Sequence, residues 1–435
     1  MIIQQNIAIT KPNKLQNNTS TQNHASVAFP NDKVYIENSF IDKKPLIDRK
    51  IIKPDENINT FFDKISNEIF ANSQIKNDFS KLLKTGHISL SSNAYANLSD
   101  PKSAIAVKLN PQKQNSAHCA FLENYLKNGV GVGINFSEFS NPIQSINYIN
   151  DYFKFREPNL TRPSAGIALL NVNHANILDF IALKEDKNYK NWCFDLSVVI
   201  DSSFLQKVDN NENITLSNGQ IIKAEAIYFR LLNSMLKTGE PGIIFSDNPH
   251  FICDCCAAAE LKENEGLNMA HINLAKFYNK STKTIDYNLL SQSSNLLSQA
   301  LKAIAPNGFV GILGYQDLLS QMGLNYGSKD AIQVLENCLE IIKSQTFANN
   351  IRMAISPTGT TSRILKTSGA IEPDKNSNVT YWEEIDTMAV AQKYLEGGIS
   401  KTINLKKHHT VQDVDSIIRY CAEKNIKGIS VFPAQ

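Results

Sequence analysis

The chain has 435 residues, 42% of them hydrophobic and 20% charged, which are the proportions of an ordinary globular protein with room for a large core. Lys and Arg number 44 against 42 Asp and Glu, a net charge of +2, so the charge gives no case for a nucleic-acid polymer or an anionic membrane surface as partner. No run approaches the ~20 apolar residues of a membrane span, Met1 to Gln5 lacks a basic stretch followed by an apolar one, and seven cysteines without a regular framework suit a reducing compartment, so a cytoplasmic protein is expected.

Residues 1–55 are rich in Asn, Gln, Lys and Ser with little periodicity, which predicts a poorly structured N-terminal arm with a short strand near Lys33 to Ile36. Residues 56–435 are expected to form a helical entry segment and one catalytic-type domain. From Asn59, Phe61, Phe62, Ile65, Ile69 and Phe70 recur at helical spacing. A second such segment ends at Leu82 and Leu83, with Gly86 as its C-cap. Short apolar runs then alternate with longer amphipathic segments. The runs are Gly166 to Leu170, Gly242 to Phe245, Gly311 to Leu313 and Gly428 to Phe432. The helices between them include Ser328 to Thr346 and Thr410 to Lys424, the latter opening on the capping-box pattern Thr410-Val411-Gln412-Asp413. Strands alternating with helices argue for an α/β protein with a largely parallel sheet or barrel. No internal repeat at a fixed period is present.

The apolar run Ile351 to Ile355 enters the turn Pro357-Thr358-Gly359-Thr360-Thr361-Ser362. A strand feeding a glycine- and hydroxyl-rich turn gathers N–H groups and hydroxyls at one point, an arrangement that suits phosphate. The glycines Gly129, Gly131 and Gly133 read either as a flexible turn or as a ligand segment, and His174 reads first as a buried, structural histidine.

Taken together these stretches resemble the large catalytic subunit of ribonucleotide reductases, closest to the adenosylcobalamin-dependent class II branch. The resemblance rests on Ser356 to Thr360 with Thr367-Ser368-Gly369-Ala370-Ile371-Glu372-Pro373, on Asn128 to Gly133, and on Arg162-Pro163-Ser164-Ala165-Gly166 with His174 to Ile181. Phe194 to Val198, Thr238-Gly239-Glu240-Pro241-Gly242, Ser400 to Asn404 and Lys427 to Phe432 follow in the same order, so it covers roughly residues 80–432. It implies a ten-stranded α/β barrel with a finger loop inside, a ribonucleoside di- or triphosphate substrate, and a phosphate site at Pro357, Thr358, Gly359, Thr360, Thr361 and Ser362. Ser92, in Ser89-Leu90-Ser91-Ser92, would be a further phosphate contact. It also allows an external thiol reductant and a homodimer as partners.

In that family a finger-loop cysteine carries the radical, with an Asn and a Glu two residues to either side. The matching stretch here is Cys253-Asp254-Cys255-Cys256-Ala257-Ala258-Ala259-Glu260. Anchoring on Leu267 to Leu274 places Cys256 at the radical position, with Cys255 as the alternative register. Asp254 then replaces the Asn and Ala258 the Glu, leaving Glu260 two residues late. The two reductant cysteines fall at Ile105 and Leu267, both aliphatic and unable to exchange with disulfides. Cys119 and Cys193 are the other thiols considered for that role. Cys253, Cys255 and Cys256 also read as small apolar loop residues. The cluster has no second set of ligands at zinc spacing, so no metal site is expected.

Relatives that use a partner subunit carry a tyrosine pair beyond the last strand, and the anaerobic class carries a C-terminal glycyl-radical motif; neither is found before Gln435. With the match at Ser400 to Asn404, the resemblance therefore implies adenosylcobalamin as the cofactor that starts the radical. Two readings stay open: a reductase-like radical enzyme making deoxyribonucleotides with altered reductant use, and a catalytically degenerate paralogue that binds nucleotide or regulates a true reductase.

Overall fold

The computed structural model describes residues 41–433, apart from 161, 164, 186–191 and 375–377. Of the arm 1–55, residues 1–40 and the Lys33 to Ile36 strand thus lie outside the described residues, as does Ser164. Within 41–55 a short helix, Lys44–Asp48, forms with proline in its first turn and with Pro45 and Leu46 buried. No helix among the described residues is long and apolar enough to cross a membrane.

The strands, in chain order, are β1 (Ile88–Leu90), β2 (Ala104–Val107), β3 (Gly131–Asn135), β4 (Gly166–Asn171), β5 (Phe194–Ile200), β6 (Asn213–Thr215), β7 (Ile221–Lys223) and β8 (Gly242–Phe245). After them come β9 (Gly266–Leu267), β10 (Met269–Asn273), β11 (Tyr278–Asn279), β12 (Thr284–Ile285), β13 (Phe309–Leu313), β14 (Arg352–Met353), β15 (Thr402–Asn404) and β16 (Gly428–Phe432). The four apolar runs expected to be strands are β4, β8, β13 and β16.

The chain divides into two compact units, one of residues 41–101 and 268–396, the other of 102–267 and 397–433. The second unit holds an eight-stranded mixed sheet in the order β15-β16-β8-β5-β4-β3-β2-β9. β2, β3, β4, β5 and β8 run parallel, β9 and β16 antiparallel to their neighbours, and β15 parallel to β16. Ile167, Ala168, Leu169 and Leu170 of β4 are all buried, as expected of a parallel strand covered on both faces. The helix Val411–Glu423 starts with the expected capping box of Thr410 and Asp413.

The first unit holds a four-stranded sheet in the order β1-β10-β13-β14, with β10, β13 and β14 parallel and β1 antiparallel. Its helices include Ile58–Ile69, Ser73–Thr85 and Lys329–Ala348. Gly86 ends the second of these at φ +73°, the left-handed cap that glycine takes without a Cβ penalty. Lys329–Ala348 begins at Ser328, whose side chain accepts from the Ala331 N–H.

Candidate active site

In the second unit, residues 253–260 form a tight hairpin. Cys253 and Glu260 pair antiparallel at its base, and the Ala257 N–H donates to the Asp254 carbonyl at 3.1 Å, closing a turn with Cys255 and Cys256 at its centre. Ala257 follows at φ +53°. The Asp254 side chain accepts from the N–H of Cys256 at 2.8 Å and of Ala259 at 2.7 Å. A carboxylate with no solvent exposure is thereby spent on holding the turn. Burial pushes its pKa up to about 6, although the backbone donors pull the other way.

The hairpin lies on one face of the eight-stranded sheet, for a reason written into β3. A Cβ on Gly131 would fall 2.4 Å from the Cys255 sulfur, and one on Gly133 would fall 1.8 Å from the Cys253 carbonyl oxygen. Only glycine lets the loop backbone approach so closely. Gly129, by contrast, lies before the strand at φ +63°. The run is therefore one turn glycine plus two strand glycines that make room for the cysteines. Asn135 donates to the Phe251 carbonyl at 2.8 Å and Asn171 to the Pro249 carbonyl at 2.9 Å, tying the loop to β3 and β4. Phe251 and Cys253 pack with Ile167, Leu169, Val199 and Ile244. The Gly398 N–H holds the Ala258 carbonyl at 2.7 Å.

Cys253 and Cys255 are buried, whereas Cys256 at the tip is partly exposed. The Cys255 and Cys256 sulfurs are 3.6 Å apart. The contact with Cys255 and burial together push the Cys256 thiol well above its ordinary range, with Arg162 acting in the opposite sense. Arg162 donates to the Gly129 carbonyl at 3.0 Å. Asp254, Cys255 and Cys256 bring their ligand atoms within 4.8 Å of one another. That is one ligand short of a closed tetrahedral zinc set, and the carboxylate is already committed to two N–H donors.

Glu260 is not brought beside Cys256: it sits at the hairpin base, exposed, and accepts from Asn248 at 3.0 Å. Residues paired across a ladder share a face, so the pairing Ala104 with Leu267 and with Gly131 puts Leu267 on the hairpin side, and Ile105 on the other side. The residue facing Leu267 is thus Ala104, one position before the one expected from the family register. It too is aliphatic and carries no thiol. Cys119 is buried on the helix Asn115–Lys127, and Cys193 precedes β5. His174 is structural: its Nδ1 accepts from the Asn176 N–H and its Nε2 donates to the Phe139 carbonyl, which fixes the neutral ring. Glu240 of the Thr238 to Gly242 motif accepts from Lys184 at 2.6 Å and from the Leu196 N–H at 2.7 Å, a structural post for β5.

In the first unit, the turn 357–362 leads into the helix Gly359–Leu365. Thr358 adopts φ +55°, and its hydroxyl accepts from the Ala370 N–H at 2.9 Å, so the Thr367 to Pro373 stretch braces the turn. Thr367 and Ser368 are in turn clasped by Asp317, through the Thr367 hydroxyl at 2.5 Å and the Ser368 N–H at 2.8 Å. Pro357 and Gly359 are exposed, Thr360 and Ser362 half-buried, Thr358 and Thr361 buried. Ser362, Arg363, Lys366, Thr367 and Ser368 line one side of a cleft of about 610 Å³. Behind the turn, Ser356 meets the buried His271 at 3.2 Å.

Ser92 lies elsewhere in this unit. β1 runs antiparallel to β10, and the Ser91 N–H bonds Met269 at the start of β10, whereas the turn 357–362 follows the far end of parallel β14. The Ser92 hydroxyl is held by Arg49, which also donates to Asn93 at 3.0 Å. Ser89, in the same segment, is the residue opposite His271.

Comparison with known proteins adds an independent line. The family model for the ribonucleotide reductase barrel domain matches residues 118–310. A vitamin B12-dependent ribonucleoside-diphosphate reductase of Thermoplasma acidophilum is 24% identical over an alignment of 393 positions that covers 62% of this chain and 51% of that protein. The protein of the same description from Mycobacterium tuberculosis (strain CDC 1551 / Oshkosh) is 21% identical, with 62% and 56% covered. The chain spans about half the length of the curated relatives it matches.

Proposed function

We propose that the chain is a member of the ribonucleotide reductase large-subunit family, on its class II-like side, and that it acts on a ribonucleoside diphosphate by radical chemistry begun at Cys256, replacing the 2′-hydroxyl by hydrogen to give a deoxyribonucleotide and water, with an external dithiol as the two-electron reductant. The observation that carries this reading is the hairpin itself: a partly exposed cysteine at the centre of a turn fixed by a buried carboxylate and set against a strand of glycines. Such a fixed turn holds a reacting atom in place at no further entropic cost.

A cobalamin cofactor, when bound, supplies the radical chemistry that no side chain starts on its own. Cys256 suits such a cofactor better than Cys253 or Cys255, since it is the least buried residue of the three. The closed ten-stranded barrel that the resemblance implies belongs to the same reading. The turn 357–362, beside Arg363 and Lys366, would take the phosphates. Asp254 positions the sulfur rather than moving protons, because both its oxygens already accept backbone N–H groups.

The test is an anaerobic incubation of the purified chain with adenosylcobalamin, dithiothreitol and each ribonucleoside diphosphate in turn, followed by product analysis. Deoxyribonucleotide from the wild type and none from Cys256→Ala supports the proposal. Undiminished product from Cys256→Ala refutes it, and nucleotide binding without any product points to a degenerate binding protein.

A further inference from the structure

The two positions at which the family resemblance expects a reductant pair are aliphatic, yet the hairpin places two other thiols in contact. Cys255 and Cys256 are consecutive, occupy the centre of one turn, and have their sulfurs 3.6 Å apart. Closing a disulfide from there needs an approach of roughly 1.5 Å, to the ~2.05 Å of an S–S bond. Three features favour that closure. The turn is held from outside the pair, by the Asp254 carboxylate and carbonyl. The space above Gly131 is kept clear for the Cys255 sulfur, since any Cβ there would overlap it. Access is graded, with Cys256 partly exposed and Cys255 buried behind it.

We propose that Cys255 and Cys256 form a redox couple that closes reversibly to a vicinal disulfide by exchange with an external dithiol–disulfide pair. On the reading above, the sulfur at the radical position is then free only while the couple is reduced. That consequence rests on the proposed function; the disulfide chemistry does not.

The oxidation balances as follows. Cys256, whose raised pKa keeps it a thiol at rest, gives up its proton to solvent as its sulfur attacks one sulfur of an external disulfide and expels one thiolate, giving a mixed disulfide. The Cys255 thiolate then attacks the Cys256 sulfur and expels the second. The external disulfide gains two electrons and two protons, and the chain loses two hydrogens. Re-reduction by an external dithiol is the same path reversed. Consecutive Cα atoms are only about 3.8 Å apart, short of the usual ~4.4–6.8 Å of disulfide partners, so the ring is strained and easily reduced. A strained, half-accessible pair is the type that cycles rather than the type that braces a fold.

The experiment uses the full chain, without nucleotide or cofactor, so that its failure is separate from any failure of the proposed activity. The reduced protein is equilibrated anaerobically with dithiothreitol buffers of increasing oxidised fraction, trapped by alkylation and mapped by mass spectrometry. In parallel, binding of phenylarsine oxide, a probe for paired thiols, is titrated. Wild type and Cys253→Ser are expected to lose two hydrogens within the peptide that carries residues 255 and 256, and to bind one arsenical per chain at that peptide. Cys255→Ser and Cys256→Ser should do neither, with melting curves confirming that they fold. If either fails to fold, peptide mapping of the wild type decides alone. A pair that stays fully alkylatable in the most oxidising buffer, or a disulfide that maps to Cys253, overturns the proposal.

Discussion

Replacing Gly133 by alanine probes the packing on which the cysteine hairpin depends. The new Cβ would stand 1.8 Å from the Cys253 carbonyl oxygen and 2.9 Å from its carbon. An ordinary C···O contact is about 3.3 Å, so the hairpin would have to retreat by roughly 1.5 Å. The obstacle is backbone, which cannot swing aside as a side-chain tip can. Against the clash stands the lower entropy of an unfolded alanine, worth about 0.4–1 kcal/mol where the strand conformation suits it. Overpacking of a filled interior costs about 1–3 kcal/mol, so the clash wins by about 1–2 kcal/mol. For a unit of some two hundred residues that lowers Tm by roughly 2–8 °C. The assay is thermal unfolding together with the native alkylation rates of Cys253 and Cys255, which should rise as the hairpin lifts from β3. An unchanged or higher Tm with both thiols still protected would refute the placement of the loop on this strand. Gly359→Ala is the control: nothing lies within 4 Å of its Cβ, so stability should stay level or rise by up to about 1 kcal/mol.

Asp254→Ala leaves the N–H groups of Cys256 and Ala259 without their acceptors; at about 1–3 kcal/mol for each orphaned group, urea unfolding should show a loss of roughly 2–6 kcal/mol. The pKa of Asp254, raised from 3.8 to about 6 by burial, gives the hairpin stability that is full below about pH 4 and lost as pH rises through 6. That difference is on the order of 3 kcal/mol, and Asp254→Asn should remove this slope from the stability profile between pH 4 and 7. His271 carries the opposite sign: burial lowers its pKa from 6.5 to about 4, so its contribution is present above pH 6.5 and lost as pH falls through 4. Its size is about 3 kcal/mol, and His271→Gln should flatten the acid limb of unfolding curves that report on the first unit.

Much of the fold was legible because its signals are local. The apolar runs that became β4, β8, β13 and β16, the left-handed Gly86 and the Thr410–Asp413 box each depend on residues within a few positions of one another. The site was legible only in outline. Gly131 and Gly133 suggest a close approach, but what approaches is a loop some 120 residues later, and no pattern around β3 names it. Asp254 reads as a substituted side chain until its two backbone donors are seen. The family register put the two reductant positions at Ile105 and Leu267, and since neighbouring residues of a strand point to opposite faces, only the ladder could show that the residue paired with Leu267 is Ala104. That Arg49 holds the Ser92 hydroxyl was not legible either, because its reach across 43 residues leaves no mark in the sequence.

The central claim is that the sulfur of Cys256 is where the chemistry begins. Its most direct test is EPR spectroscopy of samples frozen during turnover of the chain with adenosylcobalamin, dithiothreitol and a ribonucleoside diphosphate. A signal from a sulfur-centred radical that survives in Cys253→Ser and vanishes in Cys256→Ala is the predicted result. The same signal persisting in Cys256→Ala would contradict the account and move the radical to another residue.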